Sequence, residues 1–136
     1  METKILTFGV FDFFHLGHLR LFKQARRHGD YLIVAVQKEE YVLKYKPDAH
    51  MLYTTEERME LISSLKIVDE VVPYESVCTG FLQEQEFDIL ALGEDHVGGR
   101  FDECRKWCEE NGKKVVRLKR TQGIDSTRIK SMLKRQ

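Results

Sequence analysis

ILTFGVFDFFHLGH, residues 5–18, opens as an apolar run and closes on two histidines. Ile5, Leu6 and Phe8, ended by Gly9, suit a buried strand. The residues after Gly9 read as a sharp turn into a helix, with His15 and His18 three apart and so on one face of its first turn. Gly17 between them has no Cβ and lets a ligand approach the backbone. A helix N-terminus carries unpaired N–H groups and partial positive charge, which attract phosphate. Two imidazoles there can donate hydrogen bonds to a phosphate whose charge grows during a reaction. Alone, the H-x-G-H spacing is weak evidence and fits better a pair of helix-surface histidines, one of them a partial N-cap.

Outward from this stretch the chain alternates strand and helix. Strands are expected at about 4–10, 31–37, 70–73, 88–91 and 114–118, and helices at about 16–28, 56–65, 79–85, 100–111 and from Ser126 to Leu133. Leu19, Phe22 and Ala25 are expected to face inward, and Thr54/Thr55 to cap the helix that comes after them. Residues 38–54 show no clean period and read as a mobile functional loop. Strands separated by helices predict one parallel sheet in a single α/β domain, 1–136. Such sheets bind ligands beyond the carboxyl ends of their strands. Gly9–Asp12, Gly93–Asp95 and Lys119–Thr127 all fall at such ends.

Composition narrows the partners. Lys plus Arg number 22 and Asp plus Glu number 22, so no net charge points to nucleic acid or to an anionic membrane. No apolar run approaches the ~20 residues of a membrane span. The N-terminus opens directly into a strand rather than a signal peptide. Cys78, Cys104 and Cys108 are an odd set without further nearby ligands, and read as reduced thiols of a cytoplasmic protein.

The string G-V-F-D-F-F-H-L-G-H resembles the first signature of the nucleotidyltransferase superfamily, G-x-F-D-x-x-H-x-G-H. Arg120-Thr121-Gln122-Gly123-Ile124-Asp125-Ser126-Thr127 resembles the second, in the form carried by the cytidylyltransferase family. Gly29-Asp30-Tyr31-Leu32, Val68-Asp69-Glu70-Val71 and Arg100-Phe101-Asp102 extend the similarity over nearly the full chain, toward the bacterial branch that uses glycerol 3-phosphate. The resemblance implies a Rossmann-like, doubly wound, five-stranded parallel sheet with helices on both faces. It implies transfer of CMP from CTP to a small phosphorylated acceptor, for cell-surface or capsule polymers, with Mg²⁺ and a homodimer. His15, His18, Lys46 and Arg120 would be catalytic. Gly9, Val10, Phe11, Asp12, Gly17, Asp95, Thr121, Gly123, Ile124, Ser126 and Thr127 would hold the nucleotide, with Asp12 also a candidate for the metal. Lys44, Arg58 and Lys66 would meet the acceptor, joined by His50 and His96, which lie in the two variable loops. Plainer uses exist: Asp12 as a turn aspartate bonding backbone, Ser126 as an N-cap, and Lys44, Lys46 and Arg58 as solvated charges.

Several positions depart from the glycerol 3-phosphate pattern. Val10 replaces a threonine, Lys66 an arginine and Asp125 a serine, while His96-Val97-Gly98-Gly99 and Tyr74-Glu75-Ser76-Val77 replace tryptophan-containing segments. A lysine cannot reproduce a bidentate phosphate grip. These departures gather where the second substrate is expected, so the acceptor is open among glycerol 3-phosphate, another polyol phosphate and a different phosphometabolite. Three rivals stand beside this reading: an adenylyltransferase using ATP with a flavin- or pantetheine-type phosphate, a non-catalytic nucleotide-binding module, and a hydrolase holding a metal through Asp12, His15 and His18.

Overall fold

The computed structural model describes residues 2–120; Thr121, Gly123, Ile124, Ser126, Thr127 and the expected last helix lie outside the described residues. Five strands, β1 (Lys4–Gly9), β2 (Tyr31–Gln37), β3 (Glu70–Tyr74), β4 (Ile89–Gly93) and β5 (Lys114–Leu118), form one sheet in the order β3-β2-β1-β4-β5. Every neighbouring pair is parallel. The connecting helices are α1 (Leu16–Arg26), α2 (Glu39–Tyr45), α3 (Thr55–Ser63), α4 (Thr79–Glu84) and α5 (Gly99–Glu110).

Period-two alternation divides the strand residues between two cores. Ile5, Leu32, Val34, Val36, Ile89 and Ala91 pack with Phe22 and Ala25 of α1 and Ile62 of α3. Their neighbours Leu6, Ile33, Ala35, Leu90 and Leu92 pack on the other face with Leu82 of α4 and Cys104 and Cys108 of α5. Both faces are therefore covered by helices, as the continuous apolar runs in β1, β2 and β4 require. Leu19, expected inward, is only half-buried; Gly17, Phe22 and Ala25 form the buried side of α1.

Aspartates staple the amino edge. Asp30 accepts from Thr3 N–H at 3.1 Å, Asp69 from Leu32 N–H at 2.8 Å and Asp88 from Lys4 N–H at 2.9 Å. Gly29 lies so close to the chain entering β1 that a Cβ there would stand 2.5 Å from Thr3 O. The Gly-Asp and Val-Asp motifs of the sequence thus hold strand starts together, at the edge opposite the histidines.

One stretch differs from expectation. Residues 38–54 are not wholly loop, because Glu39–Tyr45 forms α2. Seven residues are too short for a period to show, and the two acidic residues that open the helix favour its N-terminus.

Candidate active site

The order β3-β2-β1-β4-β5 places the topological switch point between β1 and β4. A ligand crevice is expected there, at the carboxyl edge. Thr7 pairs with Ala91 and Gly93 with Leu118, so the exits of β1, β4 and β5 lie level.

The turn leaving β1 is strained and tightly held. Phe11 and Phe13 both take positive φ, 55° and 50°, a region that bulky residues rarely enter. Between them Asp12, 5% exposed, accepts Leu52 N–H at 2.9 Å on one carboxylate oxygen and Tyr53 N–H at 3.1 Å on the other. The Phe11 ring packs edge-on against His18 and Phe22, with centroids 5.4 and 5.1 Å away. Gly9 makes this possible, since a Cβ there would fall 2.8 Å from that ring.

His15 is the N-cap of α1. Its Nδ1 accepts Gly17 N–H at 3.0 Å, and His18 Nδ1 accepts His15 N–H at 3.3 Å. Each ring has spent Nδ1 as an acceptor, so its proton sits on Nε2, which becomes a donor. The two rings stack with centroids 3.8 Å apart. Burial, and then the neighbouring His15, push the pKa of His18 down to about 4, so His18 is neutral near pH 7. No acidic residue occupies the first turn of α1, although the Asp12 carboxylate lies near enough to act on the charge of His18. N-cap and phosphate donor, two readings that compete in the sequence, are compatible here: Nδ1 serves the cap and Nε2 can serve a ligand.

The remaining expected residues fall into three groups. Gly9, Val10, Phe11, Asp12, Gly17, Asp95 and His96 lie at the carboxyl edge. Asp95 is exposed, and His96 is half-buried, stacking on Phe101 at 4.7 Å and on Phe8 at 5.6 Å and accepting Gly93 N–H on Nδ1 at 3.1 Å. Burial lowers its pKa. Arg117 donates to the Gly93 and His96 carbonyls and so braces the same loop. Arg120 comes after β5 on a segment pinned to α1, where the Gln24 side-chain amide bonds both Lys119 O and Lys119 N–H, at 2.8 and 2.9 Å.

Lys44, Lys46 and His50 form a second group, exposed on the excursion between β2 and α3. The Lys44 ammonium lies over the Tyr41 and Tyr45 rings at 5.6 and 5.9 Å, whereas Lys46 is the C-cap residue of α2.

Arg58 and Lys66 stand apart. Arg58 is 1% exposed; it donates to Val10 O and Gln37 O, each at 2.8 Å, to Thr54 O at 3.3 Å and to Thr55 Oγ1 at 3.4 Å. A guanidinium held by carbonyls at the exits of β1 and β2 braces the rim, and this geometry does not support the expected grip on an acceptor phosphate. Lys66 comes after α3, where the chain returns to the amino edge to begin β3, so within one chain it lies away from the histidines.

The structural roles of Asp12, Arg58, Gln24 and Arg117 escape sequence reasoning. Only Arg58 leaves a signal, since Thr55, Arg58 and Ile62 share the inward stripe of α3. The donor set also bears on the expected magnesium. Both oxygens of Asp12 receive backbone N–H groups, and among the described residues no cluster of three His, Cys, Asp or Glu side chains is placed to hold a metal. These residues do not form a protein cage for Mg²⁺.

Comparison with known proteins agrees with the fold. The chain is 35% identical over 130 residues to glycerol-3-phosphate cytidylyltransferase of Bacillus spizizenii, covering 93% of this chain and 94% of that one. It is 39% identical over 96 residues to FAD synthase of Thermococcus sibiricus, covering only 69% of this chain and 64% of that one. The crystal structure of a lipopolysaccharide core biosynthesis protein from Thermoplasma volcanium superposes with a TM-score of 0.76 at 27% identity, over 90% of this chain and all of that one. The Cytidylyltransferase-like family model matches residues 6–132, and the chain belongs to that family.

Proposed function

We propose that this protein transfers CMP from CTP to glycerol 3-phosphate or a closely related phosphometabolite and releases pyrophosphate. The observation that carries the reading is the His15/His18 pair at the start of α1, with both Nδ1 atoms engaged as acceptors, from which Nε2 follows as the protonated nitrogen of each neutral ring. An oxygen of the acceptor phosphate attacks the α-phosphorus of CTP. The bond from that phosphorus to the α–β bridging oxygen breaks, and pyrophosphate leaves with the electron pair. The product is a CDP-linked diphosphodiester.

Charge grows on the non-bridging and leaving oxygens as this happens. Donors fixed in place beforehand offset it without reorganising. His15 and His18 supply two such donors and the N–H groups of α1 supply more. Lys46 and Arg120 add full charges to the β- and γ-phosphates. His18 need not gain or lose a proton, and its neutrality keeps its tautomer defined. The nucleotide would be cradled by Gly9–Asp12 and Asp95, with the acceptor beside the His50 and His96 loops. A magnesium ion carried by the triphosphate oxygens themselves is compatible with the donor set, since Mg²⁺ commonly binds through substrate phosphates.

CTP over ATP, and a glycerol-type acceptor, are favoured because similarity to the glycerol 3-phosphate enzyme spans both chains almost completely. A cytoplasmic enzyme that feeds cell-surface polymer synthesis accords with the same reading. No helix among the described residues is long and apolar enough to cross a membrane. A homodimer packed near the first signature accords with exposed Leu16 (46%) beside His15 and exposed Leu52 (51%), whose N–H bonds Asp12; sedimentation velocity checks it.

Pyrophosphate release with CTP or ATP against a panel of small phosphorylated acceptors tests the proposal. Turnover with CTP and a polyol phosphate is expected. Turnover with ATP and a flavin phosphate, or none with any pair, overturns it.

A further inference from the structure

The excursion from β2 to α3 is fastened at three places. At its neck, Glu39 N–H donates to Thr55 Oγ1 at 2.8 Å. On the side of the β1 turn, Leu52 and Tyr53 N–H groups are held by Asp12. On the opposite side, Tyr45 closes α2: its hydroxyl is 2.7 Å from Ser76 Oγ, just after β3, and the Arg100 guanidinium at the start of α5 lies 4.7 Å from its ring centroid. The Ser76 hydroxyl, and then Arg100, lower the pKa of the phenol. Between the last two fastenings runs a strap of six residues, Lys46–Met51, carrying Lys46 and His50 along the carboxyl edge.

We propose that Tyr45, with its hydroxyl on Ser76 and its ring under Arg100, is a positioning residue that holds this strap so that Lys46 reaches the triphosphate. The inference rests on the role given to Lys46 above. Tyr45 is 44% exposed and belongs to neither core, so its contacts do little for global stability. They decide where one end of the strap sits. A lysine on an untethered strap samples many positions, and only a few place its ammonium against developing charge. Tyr45 would therefore act in kcat more than in KM.

The experiment compares Tyr45→Ala, Tyr45→Phe, Lys46→Ala and the Tyr45→Ala/Lys46→Ala double variant, with melting temperature, steady-state pyrophosphate release and amide exchange over 46–51. One ring contact and one hydrogen bond together hold the strap by about a factor of ten. Tyr45→Ala is expected to lower kcat about tenfold and speed exchange across the strap similarly, with the melting temperature nearly unchanged. Tyr45→Phe, which keeps the ring, should fall between. The double variant should be no slower than Lys46→Ala, because Tyr45 acts through Lys46. Additive losses, or a Tyr45→Ala protein with wild-type kcat and wild-type exchange, overturn the proposal. If Lys46→Ala alone turns over normally, the role given to Lys46 fails, and positioning through it fails too; exchange in Tyr45→Ala then reports whether the fastening itself is real.

Discussion

Replacing Arg58 separates two incompatible roles. The side chain is 1% exposed and donates at 2.8 Å to two carbonyls, Val10 O and Gln37 O, at the exits of β1 and β2. Arg58→Met keeps the aliphatic stem and removes every donor. Each buried acceptor left without a partner costs about 1–3 kcal/mol, while removing a buried charge returns part of that, so the net loss is about 3 kcal/mol. With an unfolding entropy of about 2.1 cal/mol/K per residue, a chain this long loses about 10 °C of melting temperature. Urea titration and calorimetry measure both quantities. Because Val10 and Gln37 flank the rim, kcat should fall with stability, whereas the acceptor KM should move no more than the CTP KM. A variant that melts within about 2 °C of wild type but raises only the acceptor KM would rule out the bracing role and make Arg58 a phosphate-reading residue.

The same geometry sets three further outcomes. The unfolded chain protonates His18 near 6.5 and the folded chain only near 4, so stability present above pH 6.5 is lost as pH falls. The slope is about 1.4 kcal/mol per pH unit, or about 2 kcal/mol between pH 7 and pH 5, and His96 adds to it with the same sign. Denaturation against pH should show that slope and His18→Gln should flatten it; an unchanged slope contradicts the burial of His18. Asp12→Asn should speed amide exchange at Leu52 and Tyr53 and cost about 2 kcal/mol, with no recovery on raising Mg²⁺; recovery at high Mg²⁺ would restore Asp12 as a metal ligand. Gly9→Ala drives a methyl into the Phe11 ring and should raise the CTP KM with little effect on the acceptor KM, and unchanged CTP kinetics would show that Phe11 yields without consequence.

Much of the fold is legible because each strand carries its burial in its residues. Tyr31–Gln37 and Lys114–Leu118 match their expected bounds, while the other strands shift by one or two residues. The side-to-side division of Ile5 from Leu6, and of Leu32 from Ile33, comes from the pleat once both faces are known to be covered. The histidine pair is legible too, since its geometry is local: one turn of helix and two N–H groups. Bonds between distant parts of the chain escape. Asp12 reads as a nucleotide or metal residue, or more plainly as a turn aspartate bonding its own backbone, yet its N–H partners lie 40 and 41 residues away. Gln24 meets Lys119 across 95 residues, and nothing in either residue announces the pairing. The bracing bonds of Arg58 escape for a related reason. A charged residue on a helix defaults to solvent or substrate, and only its place in the inward stripe of α3 argues otherwise.

Phosphorus-31 NMR of one reaction, CTP with glycerol 3-phosphate and Mg²⁺, decides whether this chain transfers CMP, because it identifies the bond that forms. The triphosphate signals are expected to give way to free pyrophosphate and to the coupled pair of a CDP-linked diphosphodiester, in equal amounts. His15→Ala and His18→Ala should each slow this by about 10²–10³-fold. CMP and pyrophosphate without the diphosphodiester would mean hydrolysis rather than transfer. An unchanged CTP spectrum beside consumption of ATP in the matched tube would contradict the cytidylyl assignment outright.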